Sequence, residues 1–273
     1  MRAHAHLDTR RREPWLYDAD KMAAIRSVVR LRYQLLPYWY SVFHEAHRMG
    51  LPVLRPLWVE FPRDKNTWAA EDQFMVGDCL LVHPVTEQGA TSVQLYLPGT
   101  STLWYDMDDY TVYTGGSRYS ISAPLNKIPV FQRGGTIVPK KMRVRRCSSL
   151  TANDPYTLIV ALDEKKEAKG ELYIDDGHSN DYLTGGFVVR EFEFDRHTFT
   201  SRTWAFSGMF PTKAWVERIV ILGYPLEPYR VMISLGAGSE ELMFDYKSSN
   251  KALTIRRPGI NILEDFSITI YDG

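Results

Sequence analysis

The sequence predicts a mainly β protein in which the closing piece of a parallel α/β barrel is followed by two antiparallel β-sandwich domains. Three observations support this fold class. One long helical pattern occupies residues 18–49, and from residue 62 onward short apolar stretches alternate with turns that contain Gly or Pro. A basic and then polar stretch around residue 142 interrupts these β segments. We therefore expect three units, at 1–61, 62–141 and 142–273.

The helical pattern is bounded by residues that favour helix ends. Asp18 is suited to cap an N-terminus, and Gly50 is suited to end a helix at its C-terminus. Pro37 lacks a backbone N–H and its ring clashes with the preceding turn. We therefore expect two helices or one kinked helix, with the second part at 37–48.

Short strands are expected on both sides of the helices, at 2–6 and 51–57. A helix followed by a short apolar strand is half of a βαβ unit, so this order predicts the last piece of a parallel barrel. Arg55 lies within the second of these apolar stretches. Because burying an unpaired charge is costly, Arg55 either holds a barrel carboxylate in place or faces solvent.

The β part of the chain consists of short apolar or alternating segments separated by turns, which is typical of sandwiches and barrels. In the first β unit we expect strands at 79–84, 93–97, 103–107, 119–123, 128–131 and 136–138. In the second we expect strands at 156–162, 170–174, 187–194, 213–222, 229–235, 252–256 and 266–271. Between the two units, the basic run 140–146 is interpreted as a solvated linker.

Composition excludes several classes of protein. The chain has 33 Lys and Arg against 33 Asp and Glu, so nothing favours a nucleic-acid partner, which would require a basic excess. No apolar run reaches the length of a membrane span. Cys79 and Cys147 are too few for a disulfide framework, although they could pair with each other.

The first fifteen residues contain an unusual density of chemically active side chains. Two histidines, four arginines, two acids and a tryptophan occur there. On a strand His4 and His6 would share one face, because side chains alternate. They could hold a metal, but no third ligand is evident, so we expect no metal or cofactor. A hydrogen-bonding role toward a polar ligand is the alternative, and the family resemblance given below is the main support for it. Arg12 lies in the loop that would follow the strand, and Trp15 ends it, either stacking on a sugar or packing beneath the loop.

Two other groups of polar residues favour structural roles. The sequence His44-Glu45-Ala46-His47 is one residue short of a zinc-protease motif, so we interpret it as a helix surface. A glycosidase requires two carboxylates that face each other across the scissile bond. Neighbouring acids in turn-like sequence point apart, so turn chemistry is the interpretation for Asp106, Asp108, Asp109, Asp175 and Asp176.

Several ordered blocks together resemble the C-terminal part of glycoside hydrolase family 31, and the resemblance covers essentially the whole chain. Those that carry it begin at the N-terminus and run into the first β unit. They are Arg2-Ala3-His4-Ala5-His6, Arg12-Glu13-Pro14-Trp15, Arg32-Tyr33, Leu35-Leu36-Pro37-Tyr38, Pro52-Val53-Leu54-Arg55-Pro56-Leu57, Leu80-Leu81-Val82-His83-Pro84-Val85, Leu97-Pro98-Gly99, Trp104-Tyr105-Asp106 and Ile128-Pro129-Val130-Phe131-Gln132-Arg133-Gly134-Gly135.

The resemblance implies a (β/α)8 barrel followed by proximal and distal β-sandwich domains, and retaining hydrolysis of terminal α-linked glucose by two aspartates. Both aspartate motifs precede Arg2 in the family order and neither occurs in these 273 residues. His4 matches the family histidine that hydrogen-bonds glucose in the cleavage subsite. His6, Arg12 and Trp15 are carried over only as candidate supports of that loop.

The blocks are closest to those of family members that trim glucose from N-glycans in the endoplasmic reticulum. This implies a glucosylated N-glycan or other α-glucoside as substrate, the lumen of that compartment as location, and a non-catalytic β subunit as partner. We expect the chain to be a fragment that is inactive alone. The alternatives are a carbohydrate-binding or partner-docking module, and a pseudoenzyme that completes a partner's barrel.

Overall fold

A computed structural model describes residues 4–236 and 238–272 and is mainly β. Its three α-helices are α1 (Ala19–Gln34), α2 (Leu36–Met49) and α3 (Leu57–Glu60). The strands of the first β region are β1 (Leu54–Arg55), β2 (Phe74–Val76), β3 (Leu80–Val82), β4 (Ser92–Leu97), β5 (Leu103–Asp106), β6 (Val112–Thr114), β7 (Ser117–Ser122) and β8 (Val130–Arg133). Those of the second are β9 (Thr136–Lys140), β10 (Tyr156–Ala161), β11 (Glu167–Ile174), β12 (Val188–Asp195), β13 (Thr198–Thr203), β14 (Val216–Leu222), β15 (Arg230–Leu235), β16 (Gly238–Glu241), β17 (Phe244–Lys247), β18 (Ala252–Arg256) and β19 (Phe266–Tyr271).

The helical region begins and ends where the sequence predicts. The side chain of Asp18 accepts a hydrogen bond from the backbone N–H of Lys21 at 2.9 Å, which caps α1. Gly50 ends α2 with a φ of 72°, a left-handed conformation that glycine adopts without steric cost. The helices separate at Leu35, which places Pro37 in the first turn of α2, where its missing N–H is not needed. Two helices, rather than one kinked helix, are therefore present.

The first sandwich packs two sheets over one apolar core. Its larger sheet has the order β1-β2-β3-β8-β5-β6, and its smaller sheet pairs β4 with β7. Leu81, Trp104 and Phe131 of the larger sheet share a buried cluster with Leu95 and Ile121 of the smaller one. Burial of these facing side chains supplies the main stabilisation of this region.

The second β region is one sheet of eleven described strands in the order β16-β15-β19-β13-β12-β11-β9-β10-β14-β18-β17. The sheet curls so that its two halves enclose one core, in which Phe192 and Ile268 meet Leu158, Ile219 and Leu253. Most neighbouring strands are antiparallel, as expected. In contrast, β10 runs parallel to β14, and β9 has a short parallel contact with β11.

The predicted strand at 51–57 is wrong in extent and in partner. Only Leu54–Arg55 form a strand, and they pair antiparallel with Val76 and Met75 of β2. Proline cannot donate to a β ladder, so Pro52 and Pro56 limit the strand, which takes up two of the three residues between them. This segment therefore belongs to the first sandwich sheet and is not a barrel strand.

The predicted strand at 2–6 is also absent from residues 4–6, the part of it that the structure describes. His4, Ala5 and His6 are irregular, and residues 2 and 3 lie outside the described residues. A barrel strand needs a hydrogen-bonded neighbour on each side, and no strand within 4–236 and 238–272 pairs with this segment.

The basic run 140–146 is only partly a solvated linker. Lys140 and Lys141 are buried, and the ammonium of Lys141 donates to the carbonyls of Thr151 and Ala152 at 2.7 and 2.9 Å. Further along the run, residues 142–147 are exposed. Lys140 is the last residue of β9, which pairs with β10 of the second sheet. Backbone hydrogen bonds therefore cross the predicted boundary at 141/142, and the division at 61 and 141 stays a prediction.

Candidate functional site

The N-terminal segment that carries the predicted site residues is an exposed loop. His4 and His6 are exposed, and the His6 imidazole lies 3.7 Å from the Asp8 carboxylate. Arg12 is exposed, and Trp15 lies in a short 3₁₀ turn, Pro14–Leu16, with 69% of its surface accessible. The structure places these four side chains on one continuous loop rather than in an enclosed pocket. Their roles in substrate binding and loop support stay predictions.

Helix α1 follows this loop directly and shares its exposure. No residue of α1 is buried, although its apolar positions Met22, Ile25, Val28 and Val29 follow helical spacing. An amphipathic helix in a folded protein packs its apolar stripe against a partner. The loop and α1 therefore form one unit whose apolar face is left partly open within this chain.

The described residues offer no ready metal centre. No group of three or more His, Cys, Asp or Glu side chains in 4–236 and 238–272 has a geometry that could hold a metal ion. None of α1, α2 and α3 combines the length and hydropathy that a bilayer crossing requires. Cys79 is buried and Cys147 is exposed, and both are free thiols, so the pairing considered from sequence does not occur.

Arg55 is paired rather than exposed. Only 2% of its surface is accessible, and its guanidinium lies 2.5 Å from a Glu45 oxygen and 2.7 Å from a Glu60 oxygen. Its Nε also donates to the carbonyl of Pro52 at 2.8 Å. The arrangement joins α2 to α3 through two carboxylates, so Arg55 does not face solvent and instead holds the carboxylates of Glu45 and Glu60 in place. The partners belong to helices of this chain, and the role is structural.

The clustered aspartates act in turns, as predicted. Asp106 accepts from the backbone N–H of Asp108 at 2.9 Å and from the Lys127 ammonium at 2.8 Å. Asp109 accepts from the backbone N–H of Thr111 at 2.8 Å. One oxygen each of Asp106 and Asp109 is thus used in a local turn, whereas the carboxylates of Asp106 and Asp108 both contact the Lys127 ammonium, Asp108 at 3.3 Å. They do not form the opposed pair that glycoside hydrolysis needs.

Asp175 also forms long-range hydrogen bonds that the sequence did not indicate. It accepts a hydrogen bond from the backbone N–H of Gly177 within its turn, and also from the hydroxyls of Tyr40 at 2.7 Å and Tyr173 at 2.8 Å. Tyr40 belongs to α2 and Tyr173 to β11. The carboxylate therefore ties the helical region to the second sheet.

The His44–His47 segment is a helix surface, as expected, and part of it is an interface. The His44 imidazole stacks on the Tyr173 ring with centroids 4.1 Å apart and an interplanar angle of 13°. Burial lowers the pKa of His44 below its usual value, and the nearby Arg48 acts in the same direction. Sequence spacing gave no sign of this contact because the two residues are far apart in the chain.

Comparisons with known proteins agree on one family. The model described as the glycosyl hydrolases family 31 TIM-barrel domain matches residues 1–42, and the one described as the glycosyl hydrolase family 31 C-terminal domain matches residues 50–138. Neutral alpha-glucosidase AB of Sus scrofa is 47% identical over 269 residues, which are 98% of this chain and 28% of that protein. A probable glucan 1,3-alpha-glucosidase of Oryza sativa subsp. japonica is 43% identical over 281 residues, covering 99% of this chain and 30% of that protein.

Solved structures give the same result. A glucosidase II alpha subunit, crystallised in a DNJ-bound form, superposes with a TM-score of 0.92 at 33% identity over 98% of this chain and 31% of that chain. The catalytic subunit in an ER glucosidase II heterodimeric complex, which includes the binding domain of a regulatory subunit, superposes with a TM-score of 0.91. The chain therefore spans about three tenths of the length of the relatives it matches.

Proposed function

Because the chain belongs to glycoside hydrolase family 31, we propose that it is the C-terminal portion of a retaining α-glucosidase that hydrolyses terminal α-linked glucose. The observation that carries the proposal is the 47% identity with a neutral alpha-glucosidase, maintained over 98% of this chain. Since the chain corresponds to 28% of that relative, the activity is proposed for the whole protein.

The proposal gives this chain a binding role rather than a bond-breaking one. Retaining hydrolysis needs two carboxyl groups about 5–5.5 Å apart, one as nucleophile and one as acid and base. By the family order these aspartates precede Arg2. His4 would hydrogen-bond the glucose ring, since a neutral imidazole has one donor and one acceptor nitrogen. His6, Arg12 and Trp15 would support its loop, and the chain alone would be inactive.

The relatives support a proposal for the substrate, the partner and the compartment. One matching structure is a glucosidase II alpha subunit in a Glc1Man2-bound form, and another is an ER glucosidase II complex with the binding domain of a regulatory subunit. We accordingly propose glucosylated N-glycans as substrate, a non-catalytic subunit as partner and the endoplasmic-reticulum lumen as location. The open apolar stripe of α1 supports the presence of further barrel elements in the whole protein.

The inactivity of the chain alone is tested by an assay with a nitrophenyl α-glucoside. We expect no turnover by the purified chain, because one imidazole cannot replace a carboxylate nucleophile and a proton donor. The pig relative in the same buffer is the positive control. Clear hydrolysis that follows the concentration of purified chain would contradict the prediction.

The role of His4 is tested in a chimera in which this chain replaces the corresponding C-terminal 28% of the pig relative. We expect the chimera to hydrolyse the glucoside. His4→Ala should lower kcat/KM about 10- to 100-fold, the range for a hydrogen bond that stabilises a developing charge. Leu7→Ala, at an exposed position of the same loop, is the matched control. Equal activity of the two variants would show that His4 does not contribute to the substrate site.

A non-catalytic carbohydrate-binding or docking module is the second candidate. Exposed tryptophans on the first sandwich favour it, because large aromatic rings are usually covered in a folded domain. Calorimetry of the whole chain with oligosaccharides separates the two functions, since a binding module would retain its affinity when His4 is replaced by Ala. An inactive chimera combined with tight binding by both the native chain and His4→Ala would favour the module over the enzyme.

A further inference from the structure

Two tryptophans and a proline line a shallow depression on the first sandwich. Trp58 lies on α3, and Trp68 follows the 3₁₀ turn Lys65–Thr67. Trp58 is 50% exposed and Trp68 is 59% exposed. Together with Pro62 they line an open depression of about 280 Å³. This volume is just below the roughly 300–1,000 Å³ of pockets that hold drug-sized ligands, so it suits one or two small rings.

The segment that carries Trp68 is held rigidly. The indole N–H of Trp68 donates to the carbonyl of Pro62 at 3.0 Å, which fixes the ring while leaving much of it exposed. The neighbouring Thr67 is fully buried, and its hydroxyl donates to the carbonyls of Phe61 and Asp64. A ring that is already fixed loses little conformational entropy when a ligand stacks on it.

The backbone that carries Trp58 is also held in place by neighbouring residues. It follows Leu57, which is fully buried in the core of the first sandwich. Two residues further on, Glu60 pairs with the buried Arg55 at 2.7 Å and with Arg133 at 3.4 Å. The backbone at both tryptophans is therefore anchored by neighbouring residues, while about half of each indole surface is exposed.

The lining of the depression indicates an uncharged ligand. Trp58, Pro62 and Trp68 carry no charge, and no aliphatic side chain accompanies them in the lining. A second depression of about 320 Å³ lies on the same stretch of chain, at residues 66–73, and is lined by Asn66, Asp72, Gln73 and Arg118 among others. Aromatic rings suit a ligand with apolar ring faces, and amide, carboxylate and guanidinium groups suit the hydroxyl groups at its edges. An oligosaccharide combines these properties.

We propose that the Trp58–Trp68 depression binds a gluco-oligosaccharide by stacking of sugar rings on the two indoles. The choice of a glucose oligomer rests on the proposed function, while the stacking itself rests on the geometry of the depression. A protein partner would need about 800 Å² of surface on each side of a stable interface. The two rings and one proline present a much smaller apolar area.

Titration calorimetry of the chain with an α-1,3-linked glucotriose tests the proposal. We expect saturable binding that Trp58→Ala and Trp68→Ala each weaken about tenfold, because each removes one stacking surface. Trp68→Phe keeps a ring but loses the hydrogen bond to Pro62, so we expect a smaller loss. Phe206→Ala removes an aromatic ring that is 75% exposed elsewhere and should leave the affinity unchanged. No saturable binding, or binding unaffected by both tryptophan variants, would overturn the proposal.

A measurement on the unmodified chain covers the case in which a variant fails to fold. N-bromosuccinimide oxidises exposed indoles, and mass spectrometry locates the oxidised residues. The trisaccharide should slow oxidation of Trp58 and Trp68, which are both exposed, whereas an equal concentration of mannitol should slow neither. Equal protection by the two additives, or protection by neither, would contradict a specific site. Hydrolysis by the chimera does not depend on this outcome, so the two proposals can fail separately.

Discussion

Helices α1 and α2 are consecutive and similar in length, but they occupy different environments. No residue of α1 is buried, whereas Tyr38 and Val42 of α2 are. The hydroxyl of Tyr38 donates to the carbonyl of Val76 in the first sandwich at 2.6 Å. On the other side of α2, the hydroxyl of Ser41 accepts from the backbone N–H of Tyr173 at 3.0 Å. Helix α2 thus bridges both β regions.

In contrast, α1 is joined to the β part by a backbone hydrogen bond at its last residue. The carbonyl of Gln34 accepts from the backbone N–H of Lys141 at 2.9 Å. Both helices have apolar residues at helical spacing, so the pattern that predicts a helix does not determine how deeply it is buried. Burial depends on which partner the rest of the protein supplies, and for most of α1 this chain supplies little.

The largest expected effect comes from breaking the ion pairs that anchor α2. Arg55→Ala should lower the free energy of unfolding by about 3–5 kcal/mol, because it leaves the carboxylates of Glu45 and Glu60 without their shared partner in a mostly buried setting. Arg30→Ala on the exposed face of α1 should change stability by less than about 0.5 kcal/mol. Urea denaturation measures both. Similar losses in the two variants would contradict the anchoring role.

A smaller effect tests the difference in burial directly. Val42→Ala in α2 should cost about 2 kcal/mol, from two lost methyl groups and the cavity they leave. Val28→Ala in α1 should cost less than about 0.5 kcal/mol in this chain, because the site is partly exposed and alanine favours helix.

The chimera with the pig upstream portion sharpens this comparison. If barrel elements cover α1 there, Val28→Ala should become nearly as costly as Val42→Ala, and thermal unfolding of both chimeric variants gives the comparison. An unchanged, small cost at Val28 would show that its apolar stripe stays open in the larger protein.

Much of the fold could be predicted because local signals agree with the tertiary structure. Asp18 and Gly50 end the helical region as expected, and most of the buried strands were found from their apolar residues. The sequence missed the short strands β2, β6 and β17, although β2 is largely buried. It also missed β13 and β16, which are rich in polar residues, and β16 is exposed along its whole length. Such strands form because a neighbouring strand offers unpaired backbone N–H and C=O groups, and the spacing of apolar residues in the sequence cannot reveal this.

The candidate site was predicted from composition and from the family resemblance, but its geometry was not predictable. The first fifteen residues stand out in the sequence by their histidines and arginines. The ion pairs of Arg55 could not be assigned in this way, because its two partners lie five and ten residues away on two different helices. The tryptophans at 58 and 68 were missed because a single exposed ring has no periodic signal. Their significance depends on a shared depression, which only the folded chain defines.

The smallest expected effect is a pH dependence that belongs to α2 and not to α1, which contains no histidine. Burial lowers the pKa of His44 in the folded chain, as do Arg48 and His47, while Asp175 opposes the shift. Below the unfolded pKa of about 6.5 the unfolded chain therefore takes up a proton more readily than the folded chain. The contribution of His44 to stability is complete above that value and declines as the pH falls toward the lower, folded pKa.

His44→Gln removes this titration, so the variant should lose less stability than the native chain between about pH 7.5 and pH 5.5. Urea midpoints across this range measure the difference between the two proteins. His6→Gln in the exposed loop is the control and should follow the native chain. A native chain that loses no more stability on acidification than His44→Gln would mean that the stack on Tyr173 does not hold the imidazole in its neutral form.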